Sequence, residues 1–151
     1  MENFRQIYDY DEHDISEYYS GILEFLNQAK KVGKRLFIAT YKPEKPTRRI
    51  KKQFKMDMFE EIYTIDKFGE HITKNQMIND ILNKFNLKKE ETVMIGDASS
   101  DVTSAKEAGV TGIGVLWGYG DDKTNLIKNS DYVVQNTEEL KKCLGFDYSV
   151  V

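Results

Sequence analysis

The run Val93-Met94-Ile95-Gly96-Asp97 limits this chain more than any other stretch. A short apolar segment ends in Gly-Asp, and a second acid, Asp101, follows four residues later where a helix is expected to begin. Short apolar runs of this kind recur between segments of helical period. Ile22, Phe25, Leu26 and Ala29 mark a helix over 16–32, with Ser16 as N-cap and Gly33 as stop. Strands are expected at 35–40, 61–65, 92–96, 112–116 and 132–134, and further helices from Pro46 to about Phe54 and at 74–86, 101–108, 122–128 and 137–143. Strands separated by single helices predict an α/β fold of three layers, a parallel sheet with helices on both faces. In such sheets ligands bind beyond the carboxyl ends of the strands, which is where Asp97 and Asp101 would stand.

Three positions share that edge. Thr40 ends the run Leu36-Phe37-Ile38-Ala39, and its hydroxyl, with the backbone N–H groups of the turn at Tyr41, could hold a phosphate oxygen. It could equally end a strand by bonding its own backbone. Lys74 opens a helix and reads either as a cation for phosphate or as a surface lysine. Asp97 and Asp101 could be turn and first-turn acids, or two oxygen donors for Mg²⁺, which takes one or two carboxylates together with water and phosphate.

The order Thr40, Lys74, Gly96-Asp97…Asp101 resembles the second, third and fourth motifs of the haloacid dehalogenase superfamily. The branch it is most similar to is that of the phosphoglycolate phosphatases. Flanking text agrees with this: Tyr19-Ser20-Gly21-Ile22, Thr40-Tyr41-Lys42-Pro43, Ser104-Ala105-Lys106-Glu107-Ala108-Gly109 and Gly118-Tyr119-Gly120. The resemblance covers residues 3 to 144 and implies a Rossmann-like core and Mg²⁺-dependent hydrolysis of a small phosphorylated metabolite. It implies that Thr40 holds the phosphoryl group, Lys74 stabilises nucleophile and phosphate, Asp97 binds Mg²⁺, and Asp101 supports the metal directly or through water. The family's first motif, a strand ending in Asp-x-Asp-Gly-Thr, supplies the attacking carboxylate and the general acid. Its only candidate here is Asp9-Tyr10-Asp11, where Glu12 and His13 replace Gly and Thr and Arg5 and Gln6 interrupt the strand before it. Residues 1–15 therefore read as a remnant of a cap helix or a linker, and 16–151 as a core lacking its central strand. Residues 3–9 could refill that slot, its neighbours could close up, or another chain or a second copy could donate a strand. Little or no turnover is expected from the chain alone. The alternatives are a non-catalytic Mg²⁺- or phosphate-binding protein and one half of a split enzyme. A phospho-accepting receiver domain is disfavoured, because its lysine would come after its acids.

The bulk properties narrow the class further. A net charge of −3 and pI of about 5.5 are not those of a nucleic-acid-binding domain. The basic run Lys42, Lys45, Arg48, Arg49, Lys51, Lys52, Lys55 reads as a solvated helix face, with a phosphate-attracting surface as the alternative. One cysteine, Cys143, and a polar N-terminus without a leader pattern suggest the cytoplasm. No apolar run approaches the ~20 residues of a membrane span. His13, His71 and Trp117 read as surface or packing residues.

Overall fold

A computed structural model of the chain describes residues 2–5, 15–53, 57–68, 71–117 and 122–145. Its strands are β1 (Glu2–Arg5), β2 (Leu36–Ala39), β3 (Glu61–Tyr63), β4 (Thr92–Gly96), β5 (Thr111–Val115) and β6 (Tyr132–Val134). They form one parallel sheet in the order β3-β2-β1-β4-β5-β6. The helices are α1 (Ile15–Lys31), α2 (Glu44–Gln53), α3 (Lys74–Lys84), α4 (Ser99–Ala108), α5 (Lys123–Asn129) and α6 (Thr137–Cys143), with a 3₁₀ turn at Lys89–Glu91.

Alternation along the strands builds two cores. Leu36, Ile38, Val93, Ile95, Ile113 and Val115 pack with Phe25, Leu26 and Ala29 of α1 and Leu140 of α6. Phe37, Ala39, Tyr63 and Met94 pack with Met77, Ile78 and Ile81 of α3 and Ala105 and Ala108 of α4. Both faces of the sheet are therefore covered, as near-continuous apolar strands require. α1 ends as the sequence predicts: Gly33 has φ 84°, a conformation that suits a residue without Cβ, and Lys34 N–H closes the turn on Ala29 O at 2.9 Å. Its start differs, since Ile15 is already helical and Ser16 is not the cap.

The largest correction concerns the N-terminus. Residues 2–5 are not a cap helix; they form β1, parallel to and between β2 and β4. The central slot is filled, and the core does not begin at residue 16. The physical reason is backbone accounting. Left without a strand between them, β2 and β4 would each bury a row of unpaired N–H and C=O groups, at roughly 1–3 kcal/mol per group. That total outweighs the polar character of Glu-Asn-Phe-Arg.

Tyr63 ties β3 to α3, donating its hydroxyl proton to Asp80 Oδ2. Burial, then the bond to Asp80 and the charges of Asp80 and Glu61, hold its phenol well above the ordinary value. A raised native pKa contributes stability that is present below about pH 10 and is lost as pH rises further. Native wild type and Tyr63→Phe are therefore expected to give the same tyrosinate absorbance titration. A component near pH 10 missing from the variant would contradict this placement. Among the described residues no helix is long and apolar enough to cross a membrane.

Candidate active site

Parallel pairing brings the carboxyl ends of all six strands to one edge, and the strand order reverses direction between β1 and β4. Sheets of this order bind ligands at that switch point. Asp97 follows β4 there directly and is buried at 8% exposure. Thr40 follows β2, on the other side of β1, and is fully buried.

Thr40 shows the local backbone bonding expected of a threonine that ends a strand. Its N–H bonds Tyr63 O at 2.9 Å, and its hydroxyl oxygen accepts from Lys42 N–H at 3.0 Å. A hydroxyl that accepts still carries one proton to donate.

Lys74 is the first residue of α3, set there by a reciprocal cap. Thr73 Oγ1 accepts from Gln76 N–H at 3.2 Å and Gln76 Oε1 accepts from Thr73 N–H at 2.8 Å. The ammonium is only 2% exposed as a residue, far from an ordinary surface lysine. It donates to Asp101 Oδ1 at 2.6 Å and to Ser100 Oγ at 3.3 Å. It also lies 4.5 Å from the centre of the Tyr41 ring, whose hydroxyl accepts from Lys74 N–H at 3.1 Å. Tyr41 thus acts through its side chain, where the sequence suggested only its backbone.

Asp101 is fully buried and is neither the N-cap nor the first residue of its helix. α4 begins at Ser99, and Asp101 turns back so that Oδ2 accepts from Ala98 N–H at 3.1 Å. One oxygen therefore faces Lys74 and the other the start of its own helix. Gly96 makes this position accessible: a Cβ there would lie 2.1 Å from Asp101 Oδ2 and 2.4 Å from Asp101 Cβ. The glycine before Asp97 is a spacer for Asp101, and the Gly-Asp spacing was the signal for it. Ser100 carries no comparable signal.

Thr40, Tyr41, Lys74, Asp97 and Asp101 thus share one edge of the sheet. Asp9 and Asp11 lie outside the described residues. So do His13 and Gly118–Gly120, while Trp117 packs against the core and His71 is exposed. A cleft of about 620 Å³ elsewhere, between α2 and β3, contains none of the five.

A sequence model of the family described as haloacid dehalogenase-like hydrolase matches residues 1–115. The chain belongs to that family. As a haloacid dehalogenase-like hydrolase it is similar to the phosphoglycolate phosphatase of Vibrio parahaemolyticus, at 28% identity over 140 residues, 92% of this chain and 61% of that protein. A 5′-nucleotidase of Pseudomonas aeruginosa is 34% identical over 105 residues, 69% of this chain and 48% of the relative. The crystal structure of a predicted phosphatase from Clostridium acetobutylicum superposes with a TM-score of 0.75 at 31% identity, over 83% of this chain and 59% of that one. The chain spans at most about three-fifths of the length of these haloacid dehalogenase-like proteins.

Proposed function

We propose that this edge binds a small phosphorylated metabolite with Mg²⁺, as the phosphate-handling half of a phosphomonoesterase site. The observation that carries the reading is the buried Lys74–Asp101 pair, held at 2.6 Å at the sheet edge that also carries Thr40 and Asp97. Membership of a hydrolase family and likeness to a phosphoglycolate phosphatase support it. The donor set suits Mg²⁺. Two carboxylates and one ammonium stand at this edge, the candidate donors are hard oxygens, and Mg²⁺ keeps several waters beside one or two carboxylates. Asp97 is the direct ligand in this reading. Asp101, with its oxygens turned to Lys74 and Ala98 N–H, positions the ammonium. When bound, Mg²⁺ offsets phosphate charge and orients the phosphoryl group. Thr40 donates its hydroxyl proton to a phosphate oxygen, and Lys74 neutralises a second. Tyr41 shields that ammonium on one side, so its field acts at low dielectric. The single cysteine supports a cytoplasmic location.

Attack on phosphorus needs a further carboxylate. Asp97 and Asp101 are already committed, so the chain alone is expected to bind without turning over. The test is phosphate release from p-nitrophenyl phosphate with Mg²⁺, beside calorimetric titration of Mg²⁺. The expected outcome is Mg²⁺ binding weakened at least about tenfold by Asp97→Asn, as second-sphere and ligand losses in metal sites generally give, with negligible hydrolysis. Robust hydrolysis abolished by Asp9→Asn would place the nucleophile between β1 and α1. Absence of Mg²⁺ binding, with Asp97→Asn indistinguishable from wild type, would sink the proposal.

A further inference from the structure

Among the described residues, the indole nitrogen of Trp117 is the only buried side-chain nitrogen or oxygen without a hydrogen-bond partner. Buried polar groups are otherwise almost always paired, and an indole N–H can only donate. The ring packs against the core cluster that contains Ile38, Ile95 and Val115. That packing needs an aromatic ring and not its N–H, which phenylalanine would leave out. The position borders the candidate site. Ile38 and Ile95 stand two residues before Thr40 and Asp97. Gly114 pairs with Gly96, so Val115 is level with Asp97 on the neighbouring strand, about 4.8 Å away. Trp117 follows Val115 by two residues, which reach at most about 7 Å, and Leu116 N–H ties that turn to Val134 O at 3.0 Å. In the strand order β5 lies on the side of β4 away from β2. Trp117 therefore stands within the length of a small molecule from Asp97, on the side opposite Thr40.

From this orphaned donor we propose that Trp117 Nε1 is a specificity-determining contact, and that the phosphate monoester bound at this edge carries a carbonyl oxygen on its organic part. The inference rests on the phosphate reading and deepens it. With the phosphoryl group between Thr40 and Asp97, an organic part that continues past Asp97 along the edge meets the indole N–H. The partner of a donor-only group must be an acceptor. A hydroxyl accepts but brings a proton that needs a partner of its own. A carboxylate accepts but adds negative charge where Asp97 and Asp101 already outnumber Lys74. A carbonyl does neither. An ester without that oxygen leaves the N–H buried and unpaired, which is how a polar site rejects an analogue that lacks one group.

The probes are hydroxyacetone phosphate and propyl phosphate, esters of equal charge and nearly equal shape that differ in one carbonyl oxygen. The chain has one tryptophan, so its indole N–H gives a single resonance in a ¹H–¹⁵N spectrum. With the full chain and Mg²⁺, hydroxyacetone phosphate is expected to move the indole proton downfield in a saturable way, and propyl phosphate to leave it in place. Calorimetry is expected to show hydroxyacetone phosphate binding at least about tenfold more tightly, a difference of about 1.4 kcal/mol. Trp117→Phe keeps a ring and removes the donor, and is expected to lose that preference. Should the variant not fold, the wild-type spectrum decides the point. If both esters bind and the indole resonance stays unmoved, or the preference survives in Trp117→Phe, the proposal is overturned while the phosphate reading stands. If neither ester binds, both fall together.

Discussion

Asp101→Ala is expected to lower the unfolding free energy by about 3–5 kcal/mol, the usual cost of breaking a buried ion pair from one side. The loss comes mainly from what is left behind. Lys74 is 2% exposed, and without Asp101 its ammonium keeps only the Ser100 hydroxyl and the Tyr41 ring as described partners of its charge. Ala98 N–H loses its acceptor in the same step. The double variant Lys74→Met, Asp101→Asn removes both charges and keeps an oxygen for Ala98 N–H, so it is expected to recover at least half of the loss. Urea denaturation of wild type, Lys74→Met, Asp101→Asn and the double variant closes the cycle. The coupling should persist at high salt, because a pair out of contact with water is little screened. A loss below about 1 kcal/mol for Asp101→Ala, the range of exposed pairs, would mean that water reaches the pair.

Gly96→Ala should rival that loss, although it adds one methyl group and removes nothing. The new Cβ would fall 2.1 Å from Asp101 Oδ2 and 2.4 Å from Asp101 Cβ and Cγ, so the first turn of α4 must withdraw. Overpacking alone typically costs about 1–3 kcal/mol. Here the withdrawal also stretches the 2.6 Å contact to Lys74, which adds part of the ion-pair loss. Gly112→Ala is the comparison. Its Cβ would meet the Cβ atoms of Ala105 and Val102 at 3.3 Å, contacts that a few tenths of an ångström relieve. Neither glycine has a positive φ, so the two differ in space and not in backbone freedom. Gly96→Ala should therefore unfold at a clearly lower urea concentration and bind phosphate more weakly. If Gly112→Ala proved the more damaging, the close approach of Asp101 to the end of β4 would be wrong.

The parts of this molecule that were legible in its sequence are those where local pattern and tertiary demand agree. Met77, Ile78, Ile81 and Leu82 have helical spacing, and all four pack against the sheet. Val93 to Ile95 is continuously apolar, and that strand is buried on both faces. That Thr40, Lys74, Asp97 and Asp101 share one sheet edge was legible because each stands at or near the end of a strand or the start of a helix. β1 was legible only as one of three ways to fill the slot, behind a cap-helix remnant, because there the two demands disagree. Glu-Asn-Phe-Arg has no strand pattern, and only the unpaired backbone of β2 and β4 draws it into the sheet. The side-chain contact of Tyr41, and Ser100 altogether, were missed for another reason. Their contacts with Lys74 cross 33 and 26 residues and leave no periodic trace.

The strand order also sets the sequence of events in folding. β1 meets β2 across about thirty residues but meets β4 across about ninety, as Asn3 pairs with Leu36 and Glu2 with Thr92. Closing the longer loop carries the greater entropic penalty, and contacts of large sequence separation slow folding. The segment from β1 to β3 and the segment from β4 to β6 can each assemble from near neighbours, and the seam between β1 and β4 joins last. On a ribosome the first segment would wait, with one side of β1 open, until β4 had been synthesised.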